Sequence, residues 1–164
     1  MNRTKKVSDS ASHIARVMMP TDANIAGNVF GGTILKMIDE VSGLVAVRHC
    51  NSNVVTASIE HMDFLWPVHI GDLLSMDAKL SYVGRSSMEV IVNVTSKNLV
   101  TGDSHYAGDS IVTLVALDRD GHPTEVPRLV FQSDAEQKLA AEAEVRRKLR
   151  EQRVAERVRG SGKS

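Results

Sequence analysis

The run Gly31–Cys50 constrains the fold of this chain more than any other stretch. Ile34, Met37, Ile38, Val41, Leu44 and Val45 recur at spacings of three and four, the period of one helical face. Leu35, Ala46 and Val47 widen that stripe. A helix apolar round most of its girth has to be wrapped by other elements. The residues that follow supply the wrapping. Leu74, Met76, Ala78, Leu80 and Tyr82 alternate with Ser75, Asp77, Lys79 and Ser81, and Met88, Val90, Val92 and Val94 alternate with Glu89, Asn93 and Thr95. Period two over that length predicts strands with one buried face. Residues 54–64 and 105–118 read as two more strands, and 13–19 as a short one before the helix. Gly84-Arg85, Thr101-Gly102-Asp103 and Asp120-Gly121 supply the turns. Consecutive strands joined this way pair antiparallel. The predicted fold is α+β, an antiparallel sheet curled around one central helix.

Composition narrows the function. The chain of 164 residues has 20 basic and 20 acidic side chains, so its formal net charge is zero, and aromatics are 4%. A nucleic-acid binder usually carries a basic excess or stacking aromatics, so no nucleic-acid partner is expected. No apolar run approaches the roughly 20 residues of a membrane span, and the N-terminus lacks the apolar core of a signal peptide. No membrane association is expected. The lone Cys50 has no disulfide partner in the chain, which fits a reducing, cytoplasmic compartment.

The charge is unevenly placed. Residues 134–164 carry nine basic and six acidic side chains, and residues 1–133 eleven and fourteen. The segment 134–159 is rich in good helix formers, but Leu139, Val145, Leu149, Val154 and Val158 are too sparse for a core stripe. It reads as an exposed, solvated helix frayed at Gly160-Ser161-Gly162. The expected organisation is a flexible N-terminus over 1–12, one folded domain over 13–131 and a charged helical tail over 132–164.

The loop from Pro20 to Gly32 runs directly into the central helix. Free N–H groups at a helix N-terminus favour a carbonyl oxygen gaining negative charge. Gly31 and Gly32 would let a substrate approach that backbone closely. A tight turn into the helix accounts for the same glycines, and no Gly-Lys-Ser/Thr follows to make a P-loop. Asp39 lies eight residues beyond Gly31, among Leu35, Ile38 and Val41. A carboxylate in so apolar a helix is expensive unless paired or at work. The other reading places Asp39 and Glu40 on a polar strip with Lys36. His49 and Cys50 are adjacent and point about 100° apart, so they form no nucleophile–base pair. His61 and Asp63 share a strand face, but no third ligand is evident, so no metal is assigned. Met18, Met19, Met37, Met62, Met76 and Met88 read as packing.

The run Asn24-Ile25-Ala26-Gly27-Asn28-Val29-Phe30-Gly31-Gly32-Thr33-Ile34-Leu35-Lys36-Met37-Ile38-Asp39-Glu40 resembles the signature of hotdog-fold acyl-CoA thioesterases, nearest the brain (cytosolic) acyl-CoA hydrolase branch and its bacterial YciA-type relatives. Met19-Pro20-Thr21-Asp22-Ala23, Asp63-Phe64-Leu65-Trp66-Pro67, Ile70-Gly71-Asp72 and Val83-Gly84-Arg85-Ser86-Ser87 fit further motifs of that family. The resemblance covers about residues 13–131 and, more loosely, the tail. It implies a hotdog domain, a homodimer whose sheets join, and often a hexamer built as a trimer of dimers. It implies hydrolysis of fatty acyl-CoA to free acid and CoA, with no cofactor, since CoA belongs to substrate and product. The family's catalytic Asn and Asp, from opposite hotdog domains, map onto Asn24 and Asp39. The animal enzymes carry two hotdog domains per chain; this chain has one and holds both residue types, so a homodimer would hold two complete sites. CoA phosphates need cations, and Arg85 beside Ser86 and Ser87 is the first choice, with Arg128 second. Each arginine also reads as a solvated surface residue. Two alternatives stand beside hydrolysis: a non-catalytic acyl-CoA-binding module, and a hotdog dehydratase of 3-hydroxyacyl thioesters, which would need a base such as His49.

Overall fold

The computed structural model describes residues 3–161. Strand β1 (Thr4–Lys6) is followed by a 3-10 turn, strand β2 (Ser12–Val17), a second 3-10 turn at Pro20–Asp22, and helix α1 (Gly31–Cys50). Four longer strands come next: β3 (Asn53–Met62), β4 (Leu73–Val83), β5 (Ser87–Lys97) and β6 (Ser104–Leu117). The chain ends in a short β7 (Arg128–Val130) and a long helix α2 (Asp134–Ser161). The main sheet is antiparallel in the order β2-β4-β5-β6-β3. It curls round α1, which packs on all five of its strands. This is the hotdog arrangement.

The predicted alternation is the one that packs. Leu74, Met76, Ala78 and Leu80 of β4, and Val90, Val92 and Val94 of β5, are buried against Ile38, Val41 and Val45 of α1. The helix stops at Asn51, whose left-handed φ of 53° lets its N–H bond the Val47 carbonyl. β6 bends at Gly108, which has a φ of +147° and presses against the Asp63 carbonyl so closely that a Cβ would collide with it. No helix among the described residues is long and apolar enough to cross a membrane.

Two regions differ from the sequence reading. The first is the N-terminal segment expected to be flexible. Thr4–Lys6 pairs in parallel with β7, and Val7 is buried. Arg48 at the end of α1 donates to the Ala11 carbonyl at 2.9 Å, to Ser12 Oγ at 2.9 Å and to the Asp9 carbonyl at 3.3 Å. Met1 and Asn2 lie outside the described residues. Its neighbour His49 is buried and hydrogen-bonds the Pro127 carbonyl at 2.7 Å, while burial holds its pKa below the usual histidine value.

The second is α2, which is not a freely solvated helix. It lies across the outer face of the sheet, with Ala143 fully buried. Glu89 of β5, 4% exposed, accepts from Arg146 at 2.7 Å and from Ser81 Oγ at 2.6 Å. Arg150 donates to Glu60 at 3.2 Å and to the Thr113 hydroxyl, and Arg153 stands 3.8 Å from Glu60. Arg147 stacks over Tyr82 at 5.5 Å. Hydrophobic periodicity misses this contact because charged pairs make it. A frayed end is expected at Gly160-Ser161-Gly162, but α2 runs through Ser161; Gly162 lies outside the described residues.

One edge of the sheet is open. β3 pairs on one side with β6 only, through a ladder broken by two register shifts, and Val55 (45%) and Ile59 (37%) stay exposed. Long apolar edges attract another strand.

Removing one partner of a buried ion pair leaves the other desolvated and unmatched. Glu89→Ala, which strips Arg146 of this carboxylate and leaves the Ser81 hydroxyl only the residue 89 carbonyl, is therefore expected to lower stability by about 3 kcal/mol in urea unfolding. A loss under about 0.5 kcal/mol, the scale of an exposed pair, would show that α2 is held by something else.

Candidate active site at the head of the central helix

Asp22 pins the loop that leads into α1. Its carboxylate accepts the Met19 N–H at 2.8 Å and Arg16 at 3.1 Å, and its carbonyl accepts the Phe30 N–H at 2.7 Å. The Met19 N–H foremost, with Arg16, holds the Asp22 pKa below the ordinary carboxylate value. Asn24 stands inside that loop, half-buried. Its Oδ1 accepts the Ala26 N–H at 2.9 Å and the Asn28 N–H at 3.2 Å. The amide oxygen is thereby committed to the loop, and its NH2 group is left to donate elsewhere.

Phe30 is the N-cap and supplies no side-chain cap, so the first N–H groups of α1, those of Gly31 and Gly32, are left for another acceptor. The Phe30 ring folds back on Gly32 so tightly that a Cβ there would clash with it. Beside this terminus is an apolar cleft of about 390 Å³, bounded by Gly31, Ile34, Phe64, Trp66 and Val68, with Asn28 at its rim.

Asp39 lies two turns further along α1, on its exposed face. The cost of burial invoked from the sequence does not apply within one chain. As the alternative reading has it, Lys36, Asp39 and Glu40 share an exposed polar strip, in which Lys36 faces Glu40 at 3.8 Å. Asp39 Oδ1 instead accepts the Thr56 hydroxyl at 2.6 Å, on the open strand β3. Among the described residues nothing else bonds this carboxylate, and no hydrogen bond joins it to Asn24. Sequence reasoning missed Thr56, since a threonine in a strand reads as an ordinary strand former.

The cationic candidates lie at the opposite end of α1. Arg85 and Arg128 line one cavity of about 840 Å³, together with Arg3, Arg147, Tyr82 and Cys50. Arg85 faces Glu125 at 3.4 Å, and both are well exposed. Ser86 and Ser87 do not line this cavity: their carbonyls accept the Ala116 and Gly84 N–H groups at 2.9 and 2.8 Å and so hold the turn that carries Arg85. Cys50 is eleven residues past Asp39, about 16 Å along the helix axis. His61, read as sharing a face with Asp63, bonds Asp109 at 3.1 Å instead. Among the described residues no three His, Cys, Asp or Glu side chains cluster as a metal site would require.

The family model of the thioesterase superfamily matches residues 26–102. The acyl-CoA thioester hydrolase YkhA of Bacillus subtilis is 40% identical over 119 residues, which are 73% of this chain and 69% of that protein. The chain belongs to the thioesterase superfamily. The human cytosolic acyl coenzyme A thioester hydrolase is 40% identical over 71% of this chain, which spans only 33% of that longer protein. A hexameric acyl-CoA thioesterase superposes with a TM-score of 0.88 at 39% identity, covering 93% of this chain and 98% of its own. An acyl-CoA hydrolase of Staphylococcus aureus, solved with butyryl-CoA, CoA and CoA disulfide, gives 0.87 at 36% identity, covering 96% of each chain. Solved variants of that hydrolase carry alanine at an asparagine, at an aspartate 15 positions further on, and at a threonine 17 beyond that. Asn24, Asp39 and Thr56 stand at the same two spacings.

A hydrogen bond to a charged group is worth about 1.5–3 kcal/mol, or roughly tenfold and upward in rate where it orients a reacting group. Thr56→Val keeps the side chain's shape and removes the donor to Asp39. It should lower kcat for thioester hydrolysis about tenfold with little change in KM, and Thr56→Ser should recover most of the loss. Unchanged kcat in Thr56→Val would make the contact incidental to Asp39.

Proposed function

We propose that this chain hydrolyses fatty acyl-CoA to fatty acid and CoA, in an oligomer where each site takes Asp39 from one subunit and Asn24 from another. The observation that carries the reading is the Asp39 carboxylate, held by Thr56 on the exposed face of α1 beside an open strand edge. A second copy pairing along β3 would cover that edge and bring its own Asn24 loop toward Asp39. Dimers of this kind, assembled further in threes, would match the hexameric state of the related thioesterase.

The chemistry follows from the free groups. The thioester carbonyl oxygen lies at the N–H groups of Gly31 and Gly32, joined by the Asn24 NH2 group. Donors aimed at an oxygen that gains charge stabilise the tetrahedral state. Asp39 acts through the oxygen that Thr56 leaves unbonded. It either takes a proton from water as water attacks, or attacks the carbonyl itself to form an anhydride that water then opens. The C–S bond breaks, and CoA departs as a thiolate that takes up the proton. No cofactor is called for. The pantetheine arm runs along α1 from Asp39 toward Cys50, about 16 Å further along the axis. Its phosphates then meet Arg85 and Arg128 in the arginine-lined cavity. The dehydratase alternative would need a free base on this helix, and His49 is buried on the Pro127 carbonyl.

A thiol-release assay across an acyl-CoA series tests the activity, and absence of release would leave the non-catalytic binding module. The shared site is tested by complementation. Asn24→Ala and Asp39→Ala oligomers should each lose about 10²-fold or more in kcat. In a mixed dimer one site combines both wild-type residues and the other both alanines, so subunit exchange should restore up to about half the activity per mixed dimer. If mass analysis confirms exchange and no activity returns, both residues act within one chain.

Arg85→Ala should raise KM for acyl-CoA by about tenfold, the scale of one charge-assisted phosphate contact, and leave KM for an acyl-pantetheine thioester unchanged. Equal effects on both substrates would remove Arg85 from phosphate binding.

A further inference from the structure

The carbonyl of Pro127 and the N–H of Arg128 belong to one peptide unit, and a peptide unit is flat and rigid. Both of its polar ends are held. The Arg128 N–H donates to the Arg3 carbonyl at 3.0 Å. The Pro127 carbonyl accepts Nε2 of His49, the penultimate residue of α1, at 2.7 Å. One residue earlier, the Val126 N–H donates to the Arg85 carbonyl at 3.0 Å. Residues 126–128 thus form a strap that brings Arg3, Arg85 and Arg128 to one cavity, and His49 fastens that strap to the central helix.

His49 does this without a charge. Its ring is fully buried, and a carbonyl only accepts, so Nε2 carries the hydrogen. Nδ1 is buried and meets no partner among the described residues, and burial holds the ring's pKa below the usual histidine value. A neutral imidazole adds no cation to the arginines; what it adds is position. Pro127 is buried, and a buried carbonyl stripped of its donor turns toward water. Because the peptide unit turns as one plane, Arg128 would turn with it. The helix that carries His49 also carries Asp39, so this bond fixes the arginines against the carboxylate.

We infer that His49 is a positioning residue for CoA binding: through the Pro127 carbonyl it orients the peptide unit from which Arg128 projects, and so sets where the phosphates are held relative to Asp39. The inference rests on the reading above of the arginine-lined cavity as the phosphate site.

The experiment compares KM for an acyl-CoA with KM for the matching acyl-pantetheine thioester, which has no phosphate. His49→Phe fills the space and removes the donor. His49→Asn ends about where Nδ1 stands and does not reach Pro127, whereas His49→Gln reaches as far as Nε2 and restores a donor. His49→Phe and His49→Asn should raise KM for acyl-CoA about fivefold, the scale of one lost hydrogen bond, with kcat and KM for acyl-pantetheine little changed. His49→Gln should recover most of the loss. Arg128→Ala should weaken acyl-CoA at least as much, and adding His49→Phe to it should bring no further rise, since both act through one contact. A ratio between two substrates of one variant is unaffected by a change in the folded fraction. Calorimetric titration with CoA needs no turnover: weaker CoA binding in His49→Phe, without thiol release by the wild type, would sink hydrolysis and keep the positioning role. Wild-type CoA affinity in His49→Phe beside a weakened Arg128→Ala would overturn the inference alone. Unchanged CoA affinity in Arg128→Ala would overturn the phosphate site and the inference with it. Equal effects of His49→Phe on both substrates, or additive effects in the double variant, would reduce His49 to a packing residue.

Discussion

Burial of α1 within the curl of the sheet is the interaction on which everything else depends. Ile38, Val41, Val45 and Ala46 are fully enclosed, and five strands contribute to the enclosure. A helix so deeply held becomes a rigid axle. Its first turn carries free N–H groups, its middle carries Asp39, and its last turn carries Arg48 and His49, which gather the two ends of the folded chain. The position of every candidate side chain is thus set by the register of one helix against one sheet.

That register places the reactive groups by exception to the packing pattern. Asp39 falls on the one strip of α1 the sheet does not reach, and Thr56 is the edge-strand residue opposite it. The glycines at the helix start serve a similar purpose: where side chains would otherwise fill the space, Gly31 leaves room for Phe64 and Gly32 for Phe30. The outer face of the sheet is governed differently. There the covering layer is α2, fastened by arginines to Glu89 and Glu60 rather than by an apolar stripe. Two chemistries of burial therefore act on opposite faces of one sheet.

These differences explain what could be read from the sequence. The bounds of α1, and the strands β4 and β5, follow from period and spacing, because burial on one face writes itself into the residue order. The short parallel pair of β1 and β7 does not, since three residues carry no period and their partner lies over a hundred positions away. The docking of α2 was hidden because Glu89, Glu60 and Thr113 look like the solvent side of a strand. The resemblance to thioesterases singled out Asn24 and Asp39, whereas the physical argument for Asp39, the cost of burial, does not hold in a single chain. Arg85 and Arg128, distant in sequence, share a cavity through the turn that Ser86 and Ser87 shape, a tertiary fact that spacing does not encode. Thr56 stood out only once β3 was visible.

The open edge at β3 has a consequence for how such a molecule is regulated by its own abundance. If Asp39 works only where a second copy covers that edge, association and catalysis obey one mass-action law. Specific activity then falls as the protein is diluted below its dissociation constant and rises with expression level. Any partner strand that occupies β3 silences the site without touching a catalytic group. In a cell, the amount of the chain present would set not just how many sites exist but what fraction of them is assembled.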